Sequence, residues 1–265
     1  SDRPESIGLT SRYDSTTQSW TTFQSTVGNP RNIPGAHCVD AAGNFWVFRV
    51  LPDGFNAQLD CRRPDGTWIG VPPPPVTEIA AFRAKGDLQA LCVDQNGQTW
   101  KFNGATWSSL GTWRPGRNTM DIDSDVAGNV WVSGVEGAAR RDAQSGLWHR
   151  HRVTNNSQFD SFTNDLALIP GGGIYSTANA GPGYGGMVKF DGARWIGFNN
   201  YTYGLGHAWP FSSDNSRSVT VRANGNVVVN PMYDGLHEWN GTTWTNLNAQ
   251  RSTIESMVED SQGRL

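Results

Sequence analysis

Short apolar runs alternate with polar, glycine-containing turns along the whole chain. Asp125–Val132 reads D-V-A-G-N-V-W-V, in which a tight turn over Ala127–Asn129 leads into the apolar run Val130–Val132. A second turn follows at Ser145–Trp148, again with a glycine ahead of a tryptophan. Turns of this kind favour positive φ and connect antiparallel strands in tight hairpins. The pattern therefore predicts short strands joined by hairpins, with almost no helix.

Both kinds of turn recur along the chain. The first kind has its glycine at Gly43, Gly86, Gly128, Gly172 or Gly173, Gly225 and Gly263. The second kind ends at Trp68, Trp107, Trp148, Trp195 and Trp244, and a sixth copy without the glycine ends at Trp20. One turn of each kind falls in every unit of roughly 40 to 50 residues, so each unit holds four short strands, named a to d. Four strands in a unit of this length are typical of a β-propeller blade.

These units predict an all-β fold: a six-bladed β-propeller with four antiparallel strands per blade, in a single domain of residues 1–265. The predicted blades are 253–265 with 1–24, then 31–71, 76–111, 114–153, 160–199 and 215–248. Blade one is split, because the C-terminal segment supplies strand a and the start of b while the N-terminal segment supplies c and d. Ring closure by these terminal strands would remove exposed sheet edges.

The three cysteines, Cys38, Cys61 and Cys92, lie in apolar strand-like runs. We expect them to be small buried hydrophobic side chains. One disulfide among them is the alternative if the compartment is oxidising. The segments that begin at Cys38 and Cys92 look alike, but the series of turns places Cys38 on a strand a and Cys92 on a strand b.

Composition argues against two classes of protein. The 21 Lys and Arg residues against 24 Asp and Glu give a net charge of −3, without the basic stripe expected of a nucleic-acid binder. No apolar run approaches the 18 residues or so of a transmembrane helix, so no membrane insertion is predicted. The scarcity of lysine beside many polar and tryptophan residues favours a secreted or periplasmic location.

Several segments resemble the repeat of the two-component regulator propeller family. Its first half, D-x-x-G-x-[LI]-W-[VI], is similar to Asp40–Val47, Asp125–Val132 and Glu259–Leu265. Its second half is similar to Gly8–Trp20, Val135–Asp142 and Asp234–Trp244. The resemblance implies a β-propeller. It also implies an extracytoplasmic sensor or recognition domain, since propellers of this family often serve as sensors, some of them for sugars.

The repeated glycines and tryptophans are expected to be structural, so ligand-binding residues are sought where the blades differ. Asn199–Asn215 is a long aromatic loop between blades five and six, and Asn179–Gly186 is a second insertion in blade five. The rings of the first loop, Phe211 included, are expected to stack on a saccharide or another planar ligand. The alternative is that the loop buries its own rings. The predicted ligand-binding residues are Tyr201, Tyr203, His207, Trp209, Asp214, Arg114, Arg117, Asp160 and Asn164.

Three functions stay open. The first is a non-catalytic recognition or sensor propeller, without cofactor or metal, that binds a saccharide or peptide at the loop face near blade five. The second is a calcium-dependent lyase or lactonase-type hydrolase. Its oxygen ligands at the channel mouth would be Glu78, Asn118, Asn164, Asp214 and Glu255. The third is a scaffold for a protein partner. The sequence has no recognisable catalytic motif, and no Cys/His spacing suits zinc.

Overall fold

The structure is a computed structural model. It describes residues 9–14, 19–24, 37–50, 57–76, 79–86, 88–113, 119–134, 137–152, 163–178, 185–198, 209–213, 215–247, 254, 256–259, 263 and 265. Within these residues every regular element is a β-strand. No helix in this described part is long and apolar enough to cross a membrane.

The strands form one two-stranded sheet and five four-stranded antiparallel sheets. The two-stranded sheet contains β1 (Leu9–Asp14) and β2 (Ser19–Gln24). Blade two contains β3 (His37–Val39), β4 (Phe45–Val50), β5 (Ala57–Arg62) and β6 (Trp68–Val71). Blade three contains β7 (Ile79–Gly86), β8 (Gln89–Asp94), β9 (Gln98–Asn103) and β10 (Trp107–Thr112). Blade four contains β11 (Thr119–Ser124), β12 (Val130–Gly134), β13 (Gly137–Arg141) and β14 (Trp148–Arg152). Blade five contains β15 (Thr163–Leu168), β16 (Ile174–Ala178), β17 (Gly186–Phe190) and β18 (Trp195–Phe198). Blade six contains β19 (Ser216–Val221), β20 (Val227–Pro231), β21 (His237–Trp239) and β22 (Trp244–Asn246).

Blades two to six are therefore confirmed as four-stranded antiparallel sheets. Cys38 lies on β3 and Cys92 on β8, the predicted strands a and b. The prediction of six complete blades and a closed ring is not confirmed, because the described strands give five four-stranded sheets and no closed ring. The part of the C-terminal segment that is described does not form strands.

The apolar core lies between neighbouring blades. Trp46 of β4 is fully buried and packs with Phe82 of β7, at 6.1 Å between ring centroids. Trp131 of β12 packs in the same way against Phe190 of β17, at 6.2 Å. The predicted structural role of these two tryptophans is confirmed. Trp68 differs, since it is 47% exposed.

The aspartate of the D-x-x-G turn also holds the tryptophan that follows the turn. Asp40 Oδ1 accepts the backbone N–H groups of Ala42 and Asn44, at 2.9 and 3.0 Å. Its Oδ2 accepts the indole N–H of Trp46 at 2.9 Å. Gly43 takes a positive φ of 81° at the fourth position, which an L side chain adopts only with strain. The turn and the buried ring are therefore held by one carboxylate.

The C-terminal segment docks on blade six. Ile254 N–H donates to Asn230 Oδ1 at 2.9 Å, and Ser218 Oγ donates to the Ile254 carbonyl at 2.9 Å. Met257 lies in one apolar cluster with Val228 of β20. These contacts extend the side-by-side arrangement of the inner strands by one segment beyond β19.

The three cysteines are free thiols in the core. They lie in the cluster between blades two and three, beside Trp46 and Phe82. Burial raises the pKa of Cys38 to about 12, since a thiolate there would lose its hydration. The interpretation of the cysteines as small buried hydrophobic side chains agrees with this arrangement.

Candidate functional site

A cavity of about 400 Å³ lies among the inner strands. Strands β3, β7, β11, β15 and β19 and the C-terminal segment all contribute to its lining, so it lies along the central channel. Its wall includes Ala41 and Ala223, which belong to turns between strands a and b. The cavity thus extends towards the end of the channel opposite the loop face chosen from sequence.

Charged side chains from β7, β11 and β15 meet beside this cavity. Arg83 Nη2 lies 2.7 Å from Asp121 Oδ2 and 3.6 Å from Asp165 Oδ1. The three side chains are 13%, 9% and 6% exposed, respectively. Lys85, two residues after Arg83 on β7 and closer to the a–b turn, forms an ion pair with Asp123. One guanidinium therefore joins the inner strands of three consecutive blades.

The electrostatic environment of this cluster shifts two of its groups. Burial by itself would favour a neutral Arg83, but the carboxylates of Asp121, Asp123 and Asp165 outweigh burial and raise the pKa of the guanidinium. Burial first, and the carboxylate of Asp121 second, raise the pKa of Asp165 well above its usual range. The cluster therefore combines a permanent cation with a carboxyl group that retains its proton more readily than usual.

The same carboxylates bond to the next inner strand. Asp121 Oδ2 accepts the backbone N–H of Leu166 at 3.0 Å, and Asp165 Oδ2 accepts that of Val219 at 2.9 Å. Each accepts from the strand of the following blade. None of Arg83, Asp121 and Asp165 is among the site residues predicted from the sequence. The available signal was positional, since both aspartates stand four residues before the first residue of their a–b turns.

At the loop face, the aromatic loop buries two of its rings. Trp209 is 3% exposed and Phe211 is 7% exposed. Trp209 Nε1 donates to the Ser213 carbonyl at 2.9 Å, and its ring packs edge-on to Trp244 at 5.6 Å. The expectation that Trp209 and Phe211 offer flat faces to a ligand is therefore wrong. Both fill the space between blades five and six, because large apolar rings gain more from burial there than from exposure.

The structure places one other predicted site residue. Asn164 lies on β15 and its Nδ2 donates to the Ser216 carbonyl of β19 at 2.9 Å, so this amide joins two inner strands. The remaining predicted residues lie outside the described part of the chain: Tyr201, Tyr203, His207, Asp214, Arg114, Arg117 and Asp160. Their role as ligand contacts stays a prediction.

A turn of blade six is hydrogen-bonded to the same loop and forms a rim with it. Ser212 donates its N–H to Asp234 Oδ2 at 2.9 Å and its Oγ–H to the same carboxylate at 2.8 Å. Met232 N–H donates to the Asn215 carbonyl at 2.7 Å. Between these anchors Tyr233 is 63% exposed and has a φ of 72°. Tyr233 was not predicted from the sequence, because its turn fits the repeat pattern and contains no inserted residues.

Neither metal nor histidine chemistry stands out in the described residues. No group of three or more His, Cys, Asp or Glu side chains among them could hold a metal ion. Of the calcium ligands suggested from sequence, only Asn164 is described. The described side chains of His149 and His151 lie on β14 and that of His237 on β21, and none of the three lines the channel cavity.

Comparisons with known proteins identify the fold. No family model matches the chain, and no curated protein sequence matches it. Selenomethionine-substituted virginiamycin B lyase from Staphylococcus aureus matches with a TM-score of 0.62 and 11% identity, over 84% of this chain and 73% of that chain. A streptogramin B lyase matches with a TM-score of 0.59 and 10% identity, over 97% and 93%.

The extracellular domain of a putative hybrid two-component system from B. thetaiotaomicron is also similar. Its TM-score is 0.52 at 13% identity, over 86% of this chain but only 35% of that chain. Identities this low show the fold alone. The chain is therefore a β-propeller, and the predicted resemblance to sensor propellers agrees with the comparisons at the level of fold.

Proposed function

We propose that this protein is a recognition propeller without catalytic activity, which binds a small polar ligand. One observation carries the proposal: the channel cavity of about 400 Å³ lies within the size range of small-ligand pockets, and charged groups converge on it. Lys85 is the most accessible of these groups, with 32% of its side chain exposed. A ligand that enters the channel would meet the Lys85–Asp123 ion pair.

We further propose that the propeller has six blades, closed by the chain termini. The cavity supports this, because the C-terminal segment lines it beside five inner strands, where a sixth inner strand belongs. The two-stranded β1–β2 sheet would supply the outer strands of the same blade. A closed ring leaves no exposed inner edge.

A location outside the cytoplasm is part of the proposal. The shared fold with an extracellular domain of a putative two-component system supports it, as does the resemblance of the turns to sensor propeller repeats. We also propose the ligand class that is expected from the sequence, which is a saccharide or a peptide bound near blade five. Two other functions compete with this proposal. One is a scaffold for a protein partner, and the other is a lyase or lactonase that holds calcium at the channel mouth.

Thermal-shift screening of saccharides, amino acids and short peptides tests the proposal, with and without calcium. The Lys85→Met/Asp123→Asn variant removes both charges from the channel. Lys101→Met, in an exposed position on β9, is the matched control. A ligand should raise the Tm of the wild type and the control, and bind at least about tenfold more weakly to the double variant, as expected for loss of a charged contact.

The proposal fails if no compound shifts the Tm, or if the double variant binds as tightly as the control. Turnover of any compound, followed by mass spectrometry of the products, would instead support the enzyme alternative.

A further inference from the structure

We propose that the turn at Tyr233 is a saccharide-binding subsite on the loop face, with Tyr233 as the stacking platform. This inference rests on the proposed function, since it requires a recognition protein, but it concerns the other end of the propeller from the channel cavity. It also names the ligand class. Tyr233 precedes β21, on the same face as the segment that leads into β19.

The first observation is the exposure of the ring. Tyr233 is 63% exposed, and within the described part of the chain no hydrogen bond or ring contact holds its side chain. Other aromatic side chains of this rim behave differently: Phe211 packs against the His237 ring at 4.3 Å and against Trp244 at 5.0 Å. An exposed tyrosine offers a flat apolar face with a polar tip, which suits the C–H face and hydroxyl groups of a sugar.

The second observation is the backbone conformation. Tyr233 has a φ of 72°, in the left-handed region, where a bulky side chain is an outlier. Leu88 is the other described non-glycine residue with positive φ, at 57°, but it packs against the core between blades two and three. Packing accounts for Leu88, whereas Tyr233 gains no such burial. Strain without a compensating contact is concentrated at functional sites.

The third observation is the rigidity of the base. Asn230 Nδ2 donates to the Gly235 carbonyl at 3.2 Å, and His237 Nε2 donates to the Asp234 carbonyl at 3.0 Å. With the bonds from Ser212 and Met232, these anchors fix both ends of the turn. A platform that is already ordered binds without a large loss of conformational entropy.

The Asp234 carboxylate is the polar group that would bind a ligand next to the Tyr233 ring. A carboxylate accepts about four hydrogen bonds. Ser212 offers it two donors: the N–H bonds Oδ2, and the single Oγ–H is shared between Oδ2 at 2.8 Å and Oδ1 at 3.1 Å. Oδ1 can therefore accept a ligand hydroxyl beside the ring. A hydroxyl-rich ligand with an apolar C–H face matches this combination of an exposed ring and a carboxylate acceptor.

The test is a glycan array followed by titration calorimetry with the strongest glycan, on the wild type and three variants. Tyr233→Phe keeps the ring and should retain affinity within about threefold. Tyr233→Asn removes the ring but suits the left-handed backbone, so it should lose at least about tenfold in affinity while the Tm rises by about 2–4 °C. Trp68→Ala, which removes a comparably exposed ring at the opposite end, should bind as the wild type does.

Equal glycan affinity in Tyr233→Asn and the wild type would overturn the subsite, and so would a wild type that binds no glycan. These failures differ from failure of the proposed function. If a small ligand still binds in a manner that depends on Lys85 and Asp123, recognition in the channel stands and only the Tyr233 subsite is wrong.

Discussion

Replacing Arg83 with Met tests whether the central charge cluster holds the inner strands together. The guanidinium lies 2.7 Å from Asp121 Oδ2, and both side chains are largely buried. Two opposite charges about 4 Å apart interact by about 4 kcal/mol at an effective dielectric constant of 20. Removing one partner of a buried pair typically costs about 3–5 kcal/mol, because the other charge stays behind without a partner.

The interaction of Arg83 with Asp165 contributes less to this loss of stability than its interaction with Asp121. Asp165 lies farther from the guanidinium, at 3.6 Å, and its raised pKa lets it keep a proton more readily. We therefore expect Arg83→Met to lower the free energy of unfolding by about 4 kcal/mol. With about 2–4 °C for each kcal/mol, the Tm should fall by about 8–16 °C.

Urea denaturation of purified variants measures this loss. Arg194→Met is the control, since its ion pair with Asp191 spans 3.5 Å and the arginine side chain is 78% exposed. An exposed pair of this kind should leave the stability nearly unchanged, because solvent screens it. Adding Asp121→Asn to Arg83→Met should restore at least half of the loss, because the amide oxygen can still accept the Leu166 N–H. A loss in Arg83→Met no larger than in Arg194→Met would refute the reasoning.

Three further predictions concern buried groups. Trp209→Ala should lower the free energy of unfolding by about 3–5 kcal/mol, which thermal denaturation would show as a large drop in Tm. A stability close to that of the wild type would contradict the placement of Trp209 in the core. Asp165→Asn should change the pH dependence of stability. Because the pKa of Asp165 is raised in the folded state, the wild type should lose stability relative to this variant as pH rises above about 4, the usual carboxyl value. Urea titrations at several pH values measure the difference in the free energy of unfolding between the two proteins. A difference that does not change with pH would count against the prediction. The thiols of Cys38, Cys61 and Cys92 should not react with a disulfide reagent such as DTNB in the folded protein, since burial raises the pKa of Cys38 to about 12 and of Cys61 to about 11. All three should react after unfolding, and rapid labelling of the native protein would show that they are accessible.

The blades were predictable because they depend on local chemistry. A turn such as Asp40–Asn44 is specified by a carboxylate, a glycine and backbone N–H groups within five residues. Strand lengths then follow from the spacing of such turns, which is why β11–β14 all lie within the predicted blade of residues 114–153. Even the choice between two registers at Cys38 and Cys92 could be made from the turns alone.

The channel cluster was not predictable in the same way. Arg83, Asp121 and Asp165 are widely separated along the chain and meet only because inner strands of three blades lie side by side. Trp209 was misassigned for a related reason. An aromatic residue in an irregular loop has the same sequence signature whether it faces solvent or fills a gap between blades, and only the packing against Trp244 decides.

The position of the carboxylates also explains why the two faces of the propeller differ in what they can do. Asp121 and Asp165 each accept an N–H from the next inner strand, and Ser218 continues the series by donating to the Ile254 carbonyl. These bonds engage polar side chains of the inner strands, so the buried cluster joins neighbouring blades to one another. Groups that remain accessible lie at the two ends: Lys85 with Asp123 near the a–b turns, and Tyr233 on the loop face. A substitution in the middle should therefore act through stability, whereas a substitution at either end should alter binding with little change in Tm beyond the relief of strain at Tyr233.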